Sequence, residues 1–367
     1  MYNIHSHYEN IFSLACKTWD PNSGIIVIYP FPFGSSTVDT LEMLNSGGSD
    51  QGPVLFCYDQ EPLIPGYNDP MFEYVKENFS NNGTRRILLL NTEQYSDSKK
   101  YFLDKYGFED CYYFYHIFAA HDWFRGYRYC PDIIAPKDRK INRAFVSFNR
   151  ITGNARCYRS LHVADLARNN LLERGHISYS VDCPEHGNNI EQLNWAEETY
   201  GIDVGWAKTA LGRVPELRID TDANFIPNGS MTLSAISATM ESFLFVVTET
   251  EFWTRKHHLT EKVFKPIVSM MPFVLLGPAH NLSYLRSYGF LTFDSWIDES
   301  YDRIEDPVER VLAVNKVIAD LCSRTNEELE TMLKEMEPVL IHNRKWFESH
   351  AFLDSAWSEL EHAITKD

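Results

Sequence analysis

Residues 242–302 read SFLFVVTETEFWTRKHHLTEKVFKPIVSMMPFVLLGPAHNLSYLRSYGFLTFDSWIDESYD. An apolar run, Phe243 to Val247, ends in Thr248, Glu249, Thr250 and Glu251. A helical segment is expected from Thr260 to Met271, with Glu261, Lys262 and Lys265 in its first turns. A second apolar run, Pro272 to Leu276, ends at Gly277-Pro278. Strand, loop, helix, strand and glycine turn in that order make half of a parallel α/β sheet. Ligands of open α/β sheets sit where strands end and helices begin. The Lys and Glu at these positions are therefore site candidates.

The same alternation extends outward. Short β-branched or apolar runs at Gly24 to Pro30, Val54 to Tyr58, Arg85 to Leu90 and Tyr112 to Phe118 read as strands. Pro70 to Asn78 and Ser96 to Tyr106 read as helices. Tyr129 to Lys140, with two prolines and no helical period, reads as a linker. Beyond it, strands are expected at Ala144 to Phe148, Ile177 to Val181 and Leu291 to Phe293. Helices are expected at Ala155 to Glu173, Ile190 to Thr199, Thr232 to Met240, Pro307 to Cys322, Asn326 to Leu340 and Trp346 to Thr365. The chain of 367 residues is long for one core. The expectation is an α/β protein with two Rossmann-like domains facing a cleft. Their bounds are 1–137 and 138–345, with a C-terminal helix at 346–367 placed to pack back across the domains.

Composition narrows the function classes. The formal net charge is −17, which opposes non-specific binding to nucleic acid or anionic membrane. No apolar run is long enough to span a bilayer, and the start MYNIHSHYEN lacks the marks of a signal peptide. Seven cysteines are dispersed without a CxxC pair, which suits reduced thiols in a cytoplasm. There is no GxGxxG after the Ala144 strand and no GxxxxGK[ST], so dinucleotide oxidoreductases and P-loop phosphotransferases are disfavoured. HExxH and EF-hand patterns are missing too. Asp220-Thr221-Asp222 has the DxD form of a metal-binding pair, but in a turn-like setting, and His257-His258 lacks further ligands at metal spacing.

Two groups of residues carry possible chemistry. Arg150 and Arg156 flank a strand-to-helix turn, where free backbone N–H groups favour an anion. Lys262 opens another helix, against the dipole preference for acids there, which points to an anionic partner. Together the two loops would cradle a diphosphate. In the first half, Asp59 and Glu61 stand at a strand end in YDQEPL. A carboxylate there is placed to take a proton from a hydroxyl.

Phe245 through Glu251, Leu259-Thr260-Glu261-Lys262 and Pro272 to Gly277 together resemble the donor-binding signature of α1,3-fucosyltransferases. Glu61-Pro62 resembles the element holding that family's general base. Asn149 and Arg156 resemble the Asn and Arg of its strand-to-helix turn. The match covers about half of the chain, mainly the second domain. Phe252 stands where the family has Asn, and Lys265-Pro266-Ile267 also departs from the pattern. The resemblance implies a GT-B fold and an inverting glycosyltransferase using a nucleotide-diphosphate sugar without an obligatory metal or other cofactor. It implies donor contacts from Asn149, Arg156, Glu251, Thr260, Glu261 and Lys262 and Glu61 or Asp59 as base, and Arg150 and Lys265, read from their charge and position, complete the expected donor-binding set. The sequence also looks like transferases of large bacterial viruses, some of which glycosylate modified DNA bases. A carbohydrate acceptor fits the acidic chain best. The alternatives are a hydroxylated-base DNA acceptor, a non-enzymatic nucleotide- or sugar-binding protein, and a metal-dependent transferase using Asp220 and Asp222.

Overall fold

The computed structural model describes residues 3–32, 35, 37–124, 133–183, 187–219, 233 and 235–365. The chain is α/β and divides into two compact units, Met1–Asp122 with Ser349–Asp367, and Trp123–Glu348.

The first unit opens with α1 (His7–Thr18), followed by β1 (Ile26–Pro30), β2 (Leu41–Asn45) and β3 (Val54–Cys57). Then come α2 (Asp69–Phe79), β4 (Ile87–Asn91), α3 (Asp97–Tyr106), β5 (Glu109–Tyr112) and α4 (Tyr115–Phe124). The strands order β2-β1-β3-β4-β5. β1, β3, β4 and β5 are parallel, and β2 returns antiparallel on β1. Every residue of β3 and β4 is buried, as expected of central parallel strands covered on both faces. β2 is mostly exposed, as an edge strand can be. The helix His350–Thr365 belongs to this unit and packs on β5 and α1.

The second unit contains β6 (Arg143–Asn149), α5 (Tyr158–Arg168) and β7 (Gly175–Tyr179). A short ladder of β8 (Asp182–Cys183) and β9 (Gly187–Asn188) follows, then α6 (Asn189–Tyr200), α7 (Gly205–Leu211) and α8 (Ile236–Met240). Next are β10 (Ser242–Thr248), α9 (Phe264–Val268), β11 (Phe273–Leu276) and α10 (Asn281–Ser287). The unit ends with α11 (Pro307–Cys322) and α12 (Asn326–Glu348). Its parallel sheet is ordered β11-β10-β6-β7, and all of β10 is buried. The chain lays β7 on one side of β6 and β10 on the other. The direction of winding therefore reverses between β6 and β10, and their C-terminal ends diverge into loops that run to opposite faces.

Four expectations change. The aromatic stretch read as a strand to Phe118 pairs only as far as Tyr112, and Tyr115–Phe124 is helical. Its rings fill the core from a helix, so β-propensity is overridden by packing. Leu291 to Phe293 forms no strand. The side-chain amide of Asn343 takes the place of a neighbouring strand, accepting from Leu291 N–H at 2.8 Å and donating to Leu291 C=O at 2.8 Å. The helix expected from Thr260 to Met271 is only a 3-10 turn, Glu261–Val263, joined to α9. Of the helix expected at Thr232 to Met240, only Ile236–Met240 is helical among the described residues.

Of the expected linker, residues 129–132 lie outside the described residues. Its end is built into the second unit. Arg139 is buried and donates to Ile134 C=O at 2.8 Å, to Met270 C=O at 3.0 Å and to Ser269 C=O. The Ser269 and Met270 carbonyls lie in the turn between α9 and β11. Burial lowers the Arg139 guanidinium to about 10. Arg139→Ala would strand three carbonyls with no replacement donor. Chemical denaturation should show a loss of about 2–4 kcal/mol for this substitution. A loss below about 0.5 kcal/mol would mean that the turn does not depend on the guanidinium.

Candidate functional site

The winding reversal in the second unit brings two loops to neighbouring strand ends. One leaves β6 at Asn149 and turns through a 3-10 element, Asn154–Arg156, into α5. The other leaves β10 at Thr248 and runs to the turn at Glu261–Val263. Side chains from α5 tie the two together. Arg159 is buried and donates to Ile151 C=O at 2.9 Å on the first loop. It also donates to Thr248 C=O at 2.8 Å and Glu249 C=O at 3.0 Å at the end of β10. Tyr158 O–H donates to Glu249 C=O at 2.6 Å, and Trp253 Nε1–H donates to Ala155 C=O at 2.9 Å. The strand-end carbonyls are thus met by an arginine rather than by water.

Glu249 is fully buried at this junction. Thr260 donates to its carboxylate through both its N–H, at 3.2 Å, and its hydroxyl. Burial pushes the Glu249 carboxyl up, and Lys262 and the Thr260 hydroxyl pull it back down. Thr260 in turn caps the turn, accepting from Lys262 N–H. The Lys262 ammonium lies 3.1 Å from Thr250 Oγ1, 3.2 Å from Thr260 Oγ1 and 3.0 Å from Glu261 Oε1. Its side chain keeps 28% exposure, whereas Glu261 keeps 7%. The cation is the more exposed member of a largely buried acid–hydroxyl cluster.

The expected donor residues divide accordingly. Thr260, Glu261 and Lys262 come together. Asn149 and Arg156 lie on the loop that Arg159, Tyr158 and Trp253 bind to the same strand end. Asn149 is buried, and its amide donates to Ser147 Oγ at 2.9 Å, while its Oδ1 has no hydrogen-bond partner among the described residues. Arg150 is exposed and Arg156 half-buried, and neither has an ion-pair partner among the described residues. Glu251 is turned inward, 3.5 Å from the buried Lys256 ammonium. Lys265 lies on α9, where burial lowers its ammonium to about 8 and its Nζ sits 6.0 Å from the Phe124 ring centre. Phe252 is core. It stacks on Tyr158 at 4.1 Å, with the Arg310 guanidinium 4.5 Å from its ring centre. Asp220 and Asp222 lie outside the described residues. Among the described residues, no group of three or more His, Cys, Asp or Glu is placed to hold a metal ion.

Glu249, a strand-end acid, and Arg159 are not among the donor contacts that the resemblance implies, yet they organise this junction. Both were visible as charges near a strand end and a helix start. Which of several neighbouring charges faces inward depends on where the strand stops, and β10 stops at Thr248.

In the first unit, Asp59 and Glu61 follow β3 by two and four residues, and only Glu61 keeps solvent access. Asp59 is fully buried, accepting from Tyr8 O–H at 2.8 Å and from Tyr113 O–H. Gln60 donates to Tyr8 Oη at 2.6 Å, and His7 Nε2 lies 2.8 Å from Tyr113 Oη. Asp59 thereby binds α1 to the segment after β5. Burial pushes its carboxyl from the ordinary 3.8 up to about 7, against the two tyrosine hydrogen bonds.

The sign follows from linkage. Below the ordinary 3.8 the acid is protonated whether folded or not, and its stabilising share is complete. Between that value and about 7 the unfolded chain releases the proton and the folded chain holds it, so stability falls as pH rises through this window. Asp59→Asn removes the effect. Its unfolding free energy relative to wild type should climb from pH 4 to pH 8, as read by denaturant titration at each pH. A difference independent of pH would contradict the buried protonated acid.

Comparison with protein-family models finds none that matches the chain, and comparison with curated proteins finds no match.

Proposed function

We propose that the chain is an inverting glycosyltransferase of GT-B architecture, acting in the cytoplasm without an obligatory metal, with a nucleotide-diphosphate sugar held by the second unit and a carbohydrate hydroxyl as acceptor. The observation that carries this reading is the cluster at the winding reversal. A half-exposed Lys262 is fixed by Thr250, Thr260 and Glu261, beside the loop of Asn149, Arg150 and Arg156. Open parallel sheets bind ligands at this topological point.

In that reading the acceptor oxygen forms a bond to the anomeric carbon of the donor sugar. The bond from that carbon to the diphosphate oxygen breaks, and its electron pair leaves with the nucleoside diphosphate. Attack from the opposite face inverts the centre. The acceptor proton passes to Glu61, which keeps solvent access. Asp59 is committed to two tyrosines inside the first unit and serves position rather than proton transfer. Charge grows on the leaving diphosphate in the transition state, so a fixed ammonium and two arginines stabilise it more than the ground state. Asn149 Oδ1 offers an acceptor to a donor-sugar or ribose hydroxyl.

The test is a panel of GDP-, UDP-, ADP- and dTDP-linked sugars, scored by thermal shift and by nucleotide release. One donor should stabilise the wild-type chain and release nucleoside diphosphate. Lys262→Ala and Glu61→Gln should each lower turnover about 100-fold or more. Lys262→Ala should also weaken donor binding, whereas Glu61→Gln should leave it intact. Turnover untouched by both substitutions would remove the assignment. Donor binding with neither transfer nor hydrolysis would leave a non-enzymatic binding protein.

A further inference from the structure

A file of buried polar side chains runs through the second unit to the strand end that carries Asn149. Ser147 and Asn149 are two residues apart on β6 and so share one face of the sheet. His162 and Asp165 are three apart on α5, one turn from each other. Asn315 stands on α11, which packs on both α5 and β6. All five side chains are buried. Asn149 Nδ2 lies 2.9 Å from Ser147 Oγ, which lies 3.1 Å from His162 Nε2. His162 Nδ1 lies 2.5 Å from Asn315 Oδ1. The Asn315 amide nitrogen donates to His162 C=O at 3.0 Å and to Asp165 Oδ2 at 3.0 Å, and Asp165 Oδ1 accepts from the Arg168 guanidinium.

The direction of every bond follows from one end. A main-chain carbonyl only accepts, so the Asn315 atom facing His162 C=O is the amide nitrogen, and the atom facing the imidazole is Oδ1. That oxygen also only accepts, so His162 carries its proton on Nδ1. Burial pulls the His162 ring from 6.5 down to about 4, against the Asn315 hydrogen bond and the nearby Asp165. Near neutral pH the ring therefore holds a single N–H, and Nε2 is a bare acceptor. The Ser147 hydroxyl donates to Nε2 and turns a lone pair towards Asn149. The Asn149 atom facing it is then the nitrogen, and Oδ1 is the atom left over. Every other polar side-chain atom along the file has a partner. Asn149 Oδ1 is buried and has none among the described residues. A complete network that ends in one unmet atom, beside the loop of Arg150 and Arg156, points to a ligand group as the missing partner.

We infer that Asp165, Asn315, His162 and Ser147 form a positioning relay that holds Asn149 Oδ1 as a fixed acceptor for a ligand hydroxyl. The polarity excludes an ionised phosphate oxygen at this atom, since neither group can donate. Arg150 follows Asn149 directly in the chain. The groups that flank the diphosphate of a nucleotide sugar are the ribose and the transferred sugar, and both offer hydroxyls. Asn149 is fully buried, so the hydroxyl reaches Oδ1 with a shift of the loop that begins at Arg150. This deepens the transferase reading and rests on it for the identity of the ligand, whereas the relay itself is measurable without one.

Two measurements test it. The first is the tautomer of His162, read by long-range nitrogen–proton NMR on the labelled chain near neutral pH and assigned by the signal lost in His162→Gln. Protonated Nδ1 with bare Nε2 is expected. Protonated Nε2 would reverse the Ser147 hydroxyl and overturn the relay. The second is calorimetric binding of GDP, UDP and ADP, of their 2′-deoxy and 3′-deoxy forms, and of the corresponding sugar nucleotides with single hydroxyls of the sugar removed. In wild type one deoxygenation should cost about tenfold in affinity, and whether it falls on the ribose or on the sugar identifies the hydroxyl. Asn149→Ala, Ser147→Ala and the distant Asn315→Leu should each weaken the parent ligand by about the same factor and leave its deoxy form within about twofold. A merely structural loss would weaken both ligands alike, so equal weakening in all three variants would overturn the inference, as would a wild type that tolerates every deoxygenation. If no nucleotide or nucleotide sugar binds wild type, the transferase reading falls and the ligand hydroxyl with it, while the Nδ1–H tautomer keeps the relay.

Discussion

Much of the second unit turns on how one buried carboxylate is satisfied. Glu249 stands one residue past the end of β10, fully buried, where an unpartnered charge would cost several kcal/mol. Thr260 meets it twice, from its N–H and its hydroxyl. That requirement folds the ten residues between them into a closed loop. It also fixes the turn that Thr260 caps, and so sets where Lys262 stands. Arg159 and Tyr158 attach to the Glu249 carbonyl from the other side and bring the β6 loop with them. The geometry of the site is thus a consequence of burying an acid at the point where the sheet reverses its winding.

Burial also separates residues that look equivalent in sequence. Asp59 and Glu61 are two residues apart, and both are acids at a strand end. The first is enclosed by Tyr8 and Tyr113, and its carboxyl is pushed to about 7 by burial. The second keeps contact with water. Lys262 and Lys265 show the same contrast. Lys262 lies against Thr250, Thr260 and Glu261 oxygens, and burial drives the Lys265 ammonium on the next helix down to about 8.

The fold was largely legible because the signals that determine it are periodic. Runs such as Val54 to Cys57 and Phe243 to Val247 are apolar on both faces and short, and central parallel strands look like that. Reading failed where long-range partners decide. Tyr112 to Phe118 has strand-like composition, yet from Tyr115 it lies in a helix. Leu291 meets the side chain of Asn343 instead of a strand. Within the site, Thr260, Glu261 and Lys262 were legible because they are contiguous. That Glu249 rather than Glu251 meets Thr260, and that Arg159 rather than Arg156 bridges the strand ends, depends on a strand end and a helix start fixed only to within a residue or two by pattern.

The central claim is that a diphosphate is held at the C-terminal ends of β6 and β10. Its most direct measurement is a crystal structure of the chain soaked with the nucleoside diphosphates GDP, UDP, ADP and dTDP in turn. The account predicts electron density for one of them with its phosphates beside the Lys262 ammonium and the loop of Asn149 to Arg156. Density at another place in the chain, or none with any of the four at millimolar concentration, would contradict it.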